Sequence, residues 1–98
     1  MAHFLVEYVE KGNAAAREQH RAEHIGYRKQ LGVRLALAGP LLDAAGKPTG
    51  SVIILEAADA ADAERVARAD PYVGHGVLGL VSVRAFRIAA LQPPARLS

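Results

Sequence analysis

An α+β fold of four strands and two helices in the order βαββαβ follows from three features of this 98-residue chain. The segments His3 to Val9 and Leu80 to Ile88 alternate side chains with the period of two that marks a half-buried strand, and Ser51 to Ala57 is a β-branched run. Two segments rich in Ala, Arg and Glu, at residues 13–31 and 59–70, carry apolar positions at helical spacing between the strands. Gly, Pro, Asn and Asp punctuate the junctions, where turns and caps need them.

The first strand sets Phe4, Val6 and Tyr8 on one side, and Lys11-Gly12-Asn13 ends it. Asn13 is an N-cap candidate for a helix running to Leu31, with Gly32 as its C-cap. His20, His24, Tyr27 and Leu31 follow the 4, 3, 4 spacing that shares one helical face. Arg34 to Ala38 reads as the second strand, running into Gly39-Pro40, and the turn chemistry of Asp43 to Pro48 joins it in a hairpin to the third. The continuous apolar run of that third strand suits a central position covered on both faces. Asp59, with Asp62 in the first turn, caps a second helix whose stripe is Ala60, Ala63, Val66 and Ala67, and Pro71 stops it at Asp70. A glycine-punctuated turn over residues 72–79 leads to the last strand, with Val81, Val83 and Ala85 on one face and Ser82, Arg84, Phe86 and Ile88 on the other. Connection rules fold this order into a four-stranded antiparallel sheet with both helices on one face, the ferredoxin-like arrangement, over residues 1–90. Residues 91–98 read as a flexible C-terminal tail.

Composition narrows the function classes. The chain is 51% apolar and 22% charged, which fits a soluble globular domain and neither a disordered nor a membrane-resident one. A net charge of +2 without any dense basic run gives no reason to expect nucleic acid. The absence of Cys removes disulfide frameworks and thiol nucleophiles, and the amino-terminal segment lacks the pattern of a signal peptide, so a cytoplasmic location is expected. Twenty alanines and five aromatics make a core of small side chains, for which dimerisation is the expected remedy.

Asp70 contradicts its position, because it closes the second helix's apolar stripe and leans toward the sheet, where a carboxylate needs a partner. In this topology the first helix offers His24. A carboxylate on one ring nitrogen fixes the tautomer and leaves the other to exchange protons with a substrate. The alternative is an Asp that merely caps a turn at Tyr72. His20-Arg-Ala-Glu23-His24 spells the H-x-x-E-H of one class of zinc protease, yet these residues do not complete a tetrahedral set, so no metal site is expected. His75 reads as a solvated loop residue, and Arg17, Arg21 and Arg28 as a solvated helix flank open to a substrate carboxylate. Ser51, at a strand's start beside Gly50, reads either as a hydroxyl donor into a cavity or as structural.

The chain also resembles the YCII (YciI-like) family. The resemblance rests on Arg21-Ala-Glu-His24-Ile-Gly-Tyr27, Ala38-Gly39-Pro40-Leu41, Gly50-Ser51, Asp70-Pro71-Tyr72, Gly76-Val77 and Val81-Ser82-Val83-Arg84-Ala-Phe86, in order along nearly the whole domain. It implies a ferredoxin-like dimer whose pocket holds a His and an Asp, matched here by His24 and Asp70. Arg17-Glu-Gln-His20 fits the same R-x-x-H pattern and leaves His20 as a second claimant, and Ala85 stands where a proline often precedes the Phe. Some members are similar to lyases or dehalogenases of ring-derived compounds. The resulting expectation is a cofactor-independent small-molecule enzyme with His24 and Asp70 as its acid/base pair and Gly39, Ser51 and Tyr72 as substrate contacts. The alternative is a non-catalytic ligand-binding or accessory protein using the same pocket.

Overall fold

The computed structural model describes residues 1–92. The chain runs β1 (Ala2–Glu10), α1 (Ala14–Leu31), β2 (Leu35–Leu42), β3 (Pro48–Ala57), α2 (Ala60–Arg68), α3 (Pro71–Gly74) and β4 (Leu78–Phe86), with a 3-10 turn at Gly32–Arg34. The strands pair antiparallel in the order β2-β3-β1-β4, which is the ferredoxin-like sheet with one short helix added.

Alternation decides the core. Phe4, Val6 and Tyr8 of β1 and Ile53, Leu55 and Ala57 of β3 are buried on one sheet face, against Ala63, Val66 and Ala67 of α2. Tyr72, Val77 and Leu78 complete this cluster. From α1 only Ala16, Tyr27 and Leu31 pack against it, partly buried, so α1 lies over a margin of the core and leaves room beneath. Local chemistry sets both helix starts, since Asn13 accepts from the Ala16 N–H and Asp59 from the Asp62 N–H.

Tertiary pairing moved several boundaries. Arg34 lies in the 3-10 turn instead of β2, held there as its guanidinium donates to the Glu56 carbonyl and pairs with Asp62. β2 continues through Gly39-Pro40 to Leu42, because an edge strand does not need the missing proline N–H. α2 ends at Arg68, two residues short of the expected Asp70, which stands in extended backbone before Pro71, and Pro71 starts a new helical turn, α3, where open turn structure was expected. β4 begins at Leu78 and ends at Phe86, and a bulge sets its faces: Tyr8 pairs with Leu80 but Glu7 with Ser82, so Val81 is the extra residue. Val81 is exposed, whereas Val83 and Ala85 pair with the core residues Val6 and Phe4.

The sheet's other face carries Val9, Leu37, Leu41 and Phe86 in exposed positions, so the expectation that β3 is covered on both sides is met on the helical side only. Among the described residues no helix is long and apolar enough to cross a membrane. Of the tail expected at 91–98, residues 91–92 have no regular structure, like 87–90 before them, and 93–98 lie outside the described residues.

Candidate active site

A cavity of about 350 Å³ opens where α1 overhangs the β2–β3 end of the sheet. His24, Arg17 and Arg28 line it from α1, Tyr72 from α3, and Gly39 and Ser51 from the sheet. Strand register explains the last two: Ser51 pairs with Tyr8 and so shares the helix-facing side, and its hydroxyl donates to the Gly39 carbonyl at 3.4 Å.

Asp70 sits behind this wall, 1% exposed. Its carboxylate accepts from the Tyr72 N–H at 2.9 Å as the N-cap of α3. It also contacts His24 Nδ1 at 2.8 and 2.9 Å through its two oxygens, and accepts from Arg28 Nε at 3.0 Å. Capping and pairing, alternatives at the sequence level, thus belong to one carboxylate. Burial pushes its pKa up, but the His24 hydrogen bond, the Tyr72 N–H and the charges of His24 and Arg28 outweigh it and hold the group below the ordinary carboxylate range. An ionised Asp70 only accepts, so His24 Nδ1 carries the proton toward it and Nε2 is left for other partners.

The tyrosines fix this arrangement. The Tyr72 ring stacks on His24 with centroids 3.9 Å apart and planes within 3°, and its hydroxyl donates to the Arg17 carbonyl at 3.1 Å. Tyr27 OH donates to the Val66 carbonyl at 2.8 Å and Tyr8 OH to the Ala67 carbonyl at 3.1 Å. These bonds tie α1, β1 and α3 to one another and to the end of α2. Arg17 pairs with Glu10 while its guanidinium lies 5.1 Å above the Tyr72 ring. Arg21 joins Arg17, His24 and Tyr72 around an adjoining recess.

The YCII-related domain pattern matches residues 1–87. The chain belongs to the YCII-related family. Among solved structures it is similar to 5-chloro-2-hydroxyhydroquinone dehydrochlorinase (TftG) from Burkholderia phenoliruptrix AC1100, in complex with 2,5-dihydroxybenzoquinone. That match has a TM-score of 0.67 and 23% identity, covering 89% of this chain and 92% of the other, which shows a shared fold. Among curated proteins nothing matches.

In this YCII-related chain the residues singled out by sequence come together unequally. His24, Gly39, Ser51 and Tyr72 line the cavity, and Asp70 stands one layer behind. His20 contacts Glu23 instead of Asp70. Arg28 is a correction: placed on a solvated flank by its charge, it is inserted against Asp70 with its side chain 14% exposed. The missed signal was spacing, since Arg28 follows His24 by four and faces the same way. His75 is exposed in the turn after α3, as expected, and its ring also stacks on His20. Among the described residues, His20, Glu23 and His75 are the one group of metal-ligating types gathered closely enough to share an ion, and they do not line the cavity.

Proposed function

We propose that this YCII-related chain is a cofactor-independent enzyme of the lyase, isomerase or dehalogenase type acting on small ring-derived metabolites. His24 is its general acid/base and Asp70 the residue that positions and charge-stabilises it. The supporting observation is the division of labour on one imidazole: Nδ1 is held by a buried, ionised carboxylate while the same ring lines the cavity. In the proposed reaction Nε2 takes a proton from a ring hydroxyl or from a carbon beside a carbonyl, and Asp70 stabilises the imidazolium. Returning that proton to another carbon isomerises the ring. Returning it to a ring carbon that bears a halogen makes that carbon tetrahedral. Departure of the halide with its bonding pair, as a second ring hydroxyl gives up its proton, then leaves a quinone and hydrogen halide, the reaction class named for the Burkholderia enzyme.

The cavity suits such a substrate. Its volume lies in the range of small-ligand sites, and Arg17 and Arg21 beside His24 favour an anionic oxygen on a planar ring. Gly39, Ser51 and Tyr72 are the proposed substrate contacts. The proposal also includes a homodimer, with a second copy covering the apolar outer sheet face.

The test is a screen of hydroxylated and chlorinated ring acids, lactones and quinols, following ring absorbance and chloride release. Turnover that His24→Ala reduces by about 10²- to 10⁴-fold in kcat, with KM little changed, is the expected result. Ligand binding without turnover, unaltered by His24→Ala, assigns the pocket to a non-catalytic binding protein.

A further inference from the structure

Outside the cavity, the fold assembles a group that no reading of α1 alone supplies. His20 and Glu23 lie three apart on α1 and share a face, with His20 Nδ1 3.0 Å from Glu23 Oε1. The turn after α3 brings His75, whose Nε2 is 3.8 Å from the other carboxylate oxygen, Oε2. The two imidazole rings stack with centroids 3.4 Å apart and planes within 2°. One ligand atom from each of the three residues lies within 4.8 Å of the other two.

We propose that His20, Glu23 and His75 bind one divalent transition-metal ion of the zinc class, clamping α1 to the turn that leads out of α3. The donor set carries the choice of ion. Two imidazole nitrogens and one carboxylate oxygen suit Zn²⁺, Co²⁺ or Ni²⁺, whereas Mg²⁺ and Ca²⁺ need mostly oxygen ligands. Water completes the fourth position.

Geometry says what must move. Bonds of about 2.1 Å to a tetrahedral ion bring ligand atoms to roughly 3.4 Å from one another, closer than the present spread. Two parallel rings cannot both aim a lone pair at one point, so one imidazole turns out of the stack. His75 is the ring able to do so: its side chain is 44% exposed, and it sits between Gly74 and the positive-φ Gly76. The histidine–glutamate string on α1 thus supplies two ligands of the site, and His75 takes the place that H-x-x-E-H would give to His24. His24 is unavailable, since its Nδ1 is held by Asp70.

Tag-free full-length protein, treated with chelator and dialysed, is titrated with Zn²⁺ alone by calorimetry and with Co²⁺ alone by visible absorption. The expected result is one equivalent per chain and the intense visible bands of four- or five-coordinate Co²⁺. His75→Ala and Glu23→Gln, both at exposed positions where folding is not at stake, each weaken binding by more than about tenfold, the smaller of the losses seen when even an outer-shell partner is removed. His24→Ala leaves the stoichiometry at one. Absence of saturable binding, affinity unchanged in His75→Ala, or loss of binding in His24→Ala alone overturns the proposal.

Discussion

Asp70 concentrates four jobs in one side chain: helix cap, histidine partner, arginine partner and buried charge. Replacing it with Asn keeps the shape and removes the charge, leaving the Arg28 guanidinium buried against a neutral amide. We expect Asp70→Asn to cost roughly 3 kcal/mol, the scale for breaking one side of a buried pair, measured by chemical denaturation at neutral pH. The pH dependence follows from the depressed folded pKa. Asp70's contribution is complete above the unfolded-chain value of about 3.9 and is lost as pH falls from there through the lower folded value. Wild-type stability should therefore drop through that acid window more steeply than that of Asp70→Asn, and parallel slopes would show that the carboxylate is not selectively stabilised. The pair itself was legible, because a charged residue at the end of an apolar stripe demands a partner. Arg28 was not, because charge on a helix ordinarily signals solvent, and only the fold shows which flank of α1 overhangs the sheet.

Elements bounded by local chemistry were read closely, and those bounded by partners were not. Asn13, Gly32 and Asp59 act within a few residues of themselves, so the ends they set on α1 and the start they set on α2 are visible in sequence. The β4 bulge depends on how Glu7 and Tyr8 meet Leu80 and Ser82 across a strand pair, and nothing in the alternation of Val81, Ser82 and Val83 announces it. Gly50 is another cross-strand requirement. A Cβ there would meet the backbone carbonyl oxygen of Tyr8 on the neighbouring strand, which no rotamer change relieves. Gly50→Ala should destabilise the protein by about 2 kcal/mol, the scale of overpacking, with an unchanged denaturant slope. A loss below a few tenths would mean that β1 and β3 separate locally at little cost.

At the scale of the whole molecule, the order βαββαβ was legible because every junction carried its own punctuation, and the connection rules leave few ways to close such a chain. The extra helix α3 was hidden, as a single turn has no periodicity to detect. The exposed row of Val9, Leu37, Leu41 and Phe86 bears on assembly, since an apolar sheet face left open to water invites a partner. Sedimentation at micromolar concentration should give twice the chain mass, and Leu37→Lys with Leu41→Lys should return it to one. A monodisperse single-chain species in the wild type would remove the dimer from the proposed function.

The three tyrosines that tie these elements together also dominate the chain's near-ultraviolet signal, for it contains no tryptophan and its two phenylalanines absorb only weakly. All three hydroxyls donate to backbone carbonyls around the site, and one ring lies flat against His24. Burial raises the pKa of both Tyr8 and Tyr27, with the negative charge of Asp70 adding to the effect. Alkaline spectrophotometric titration therefore sees their phenolates only above the usual value of about 10. Intrinsic tyrosine emission needs no label and is not masked by tryptophan, so a ligand sliding over the Tyr72–His24 stack reports its own arrival.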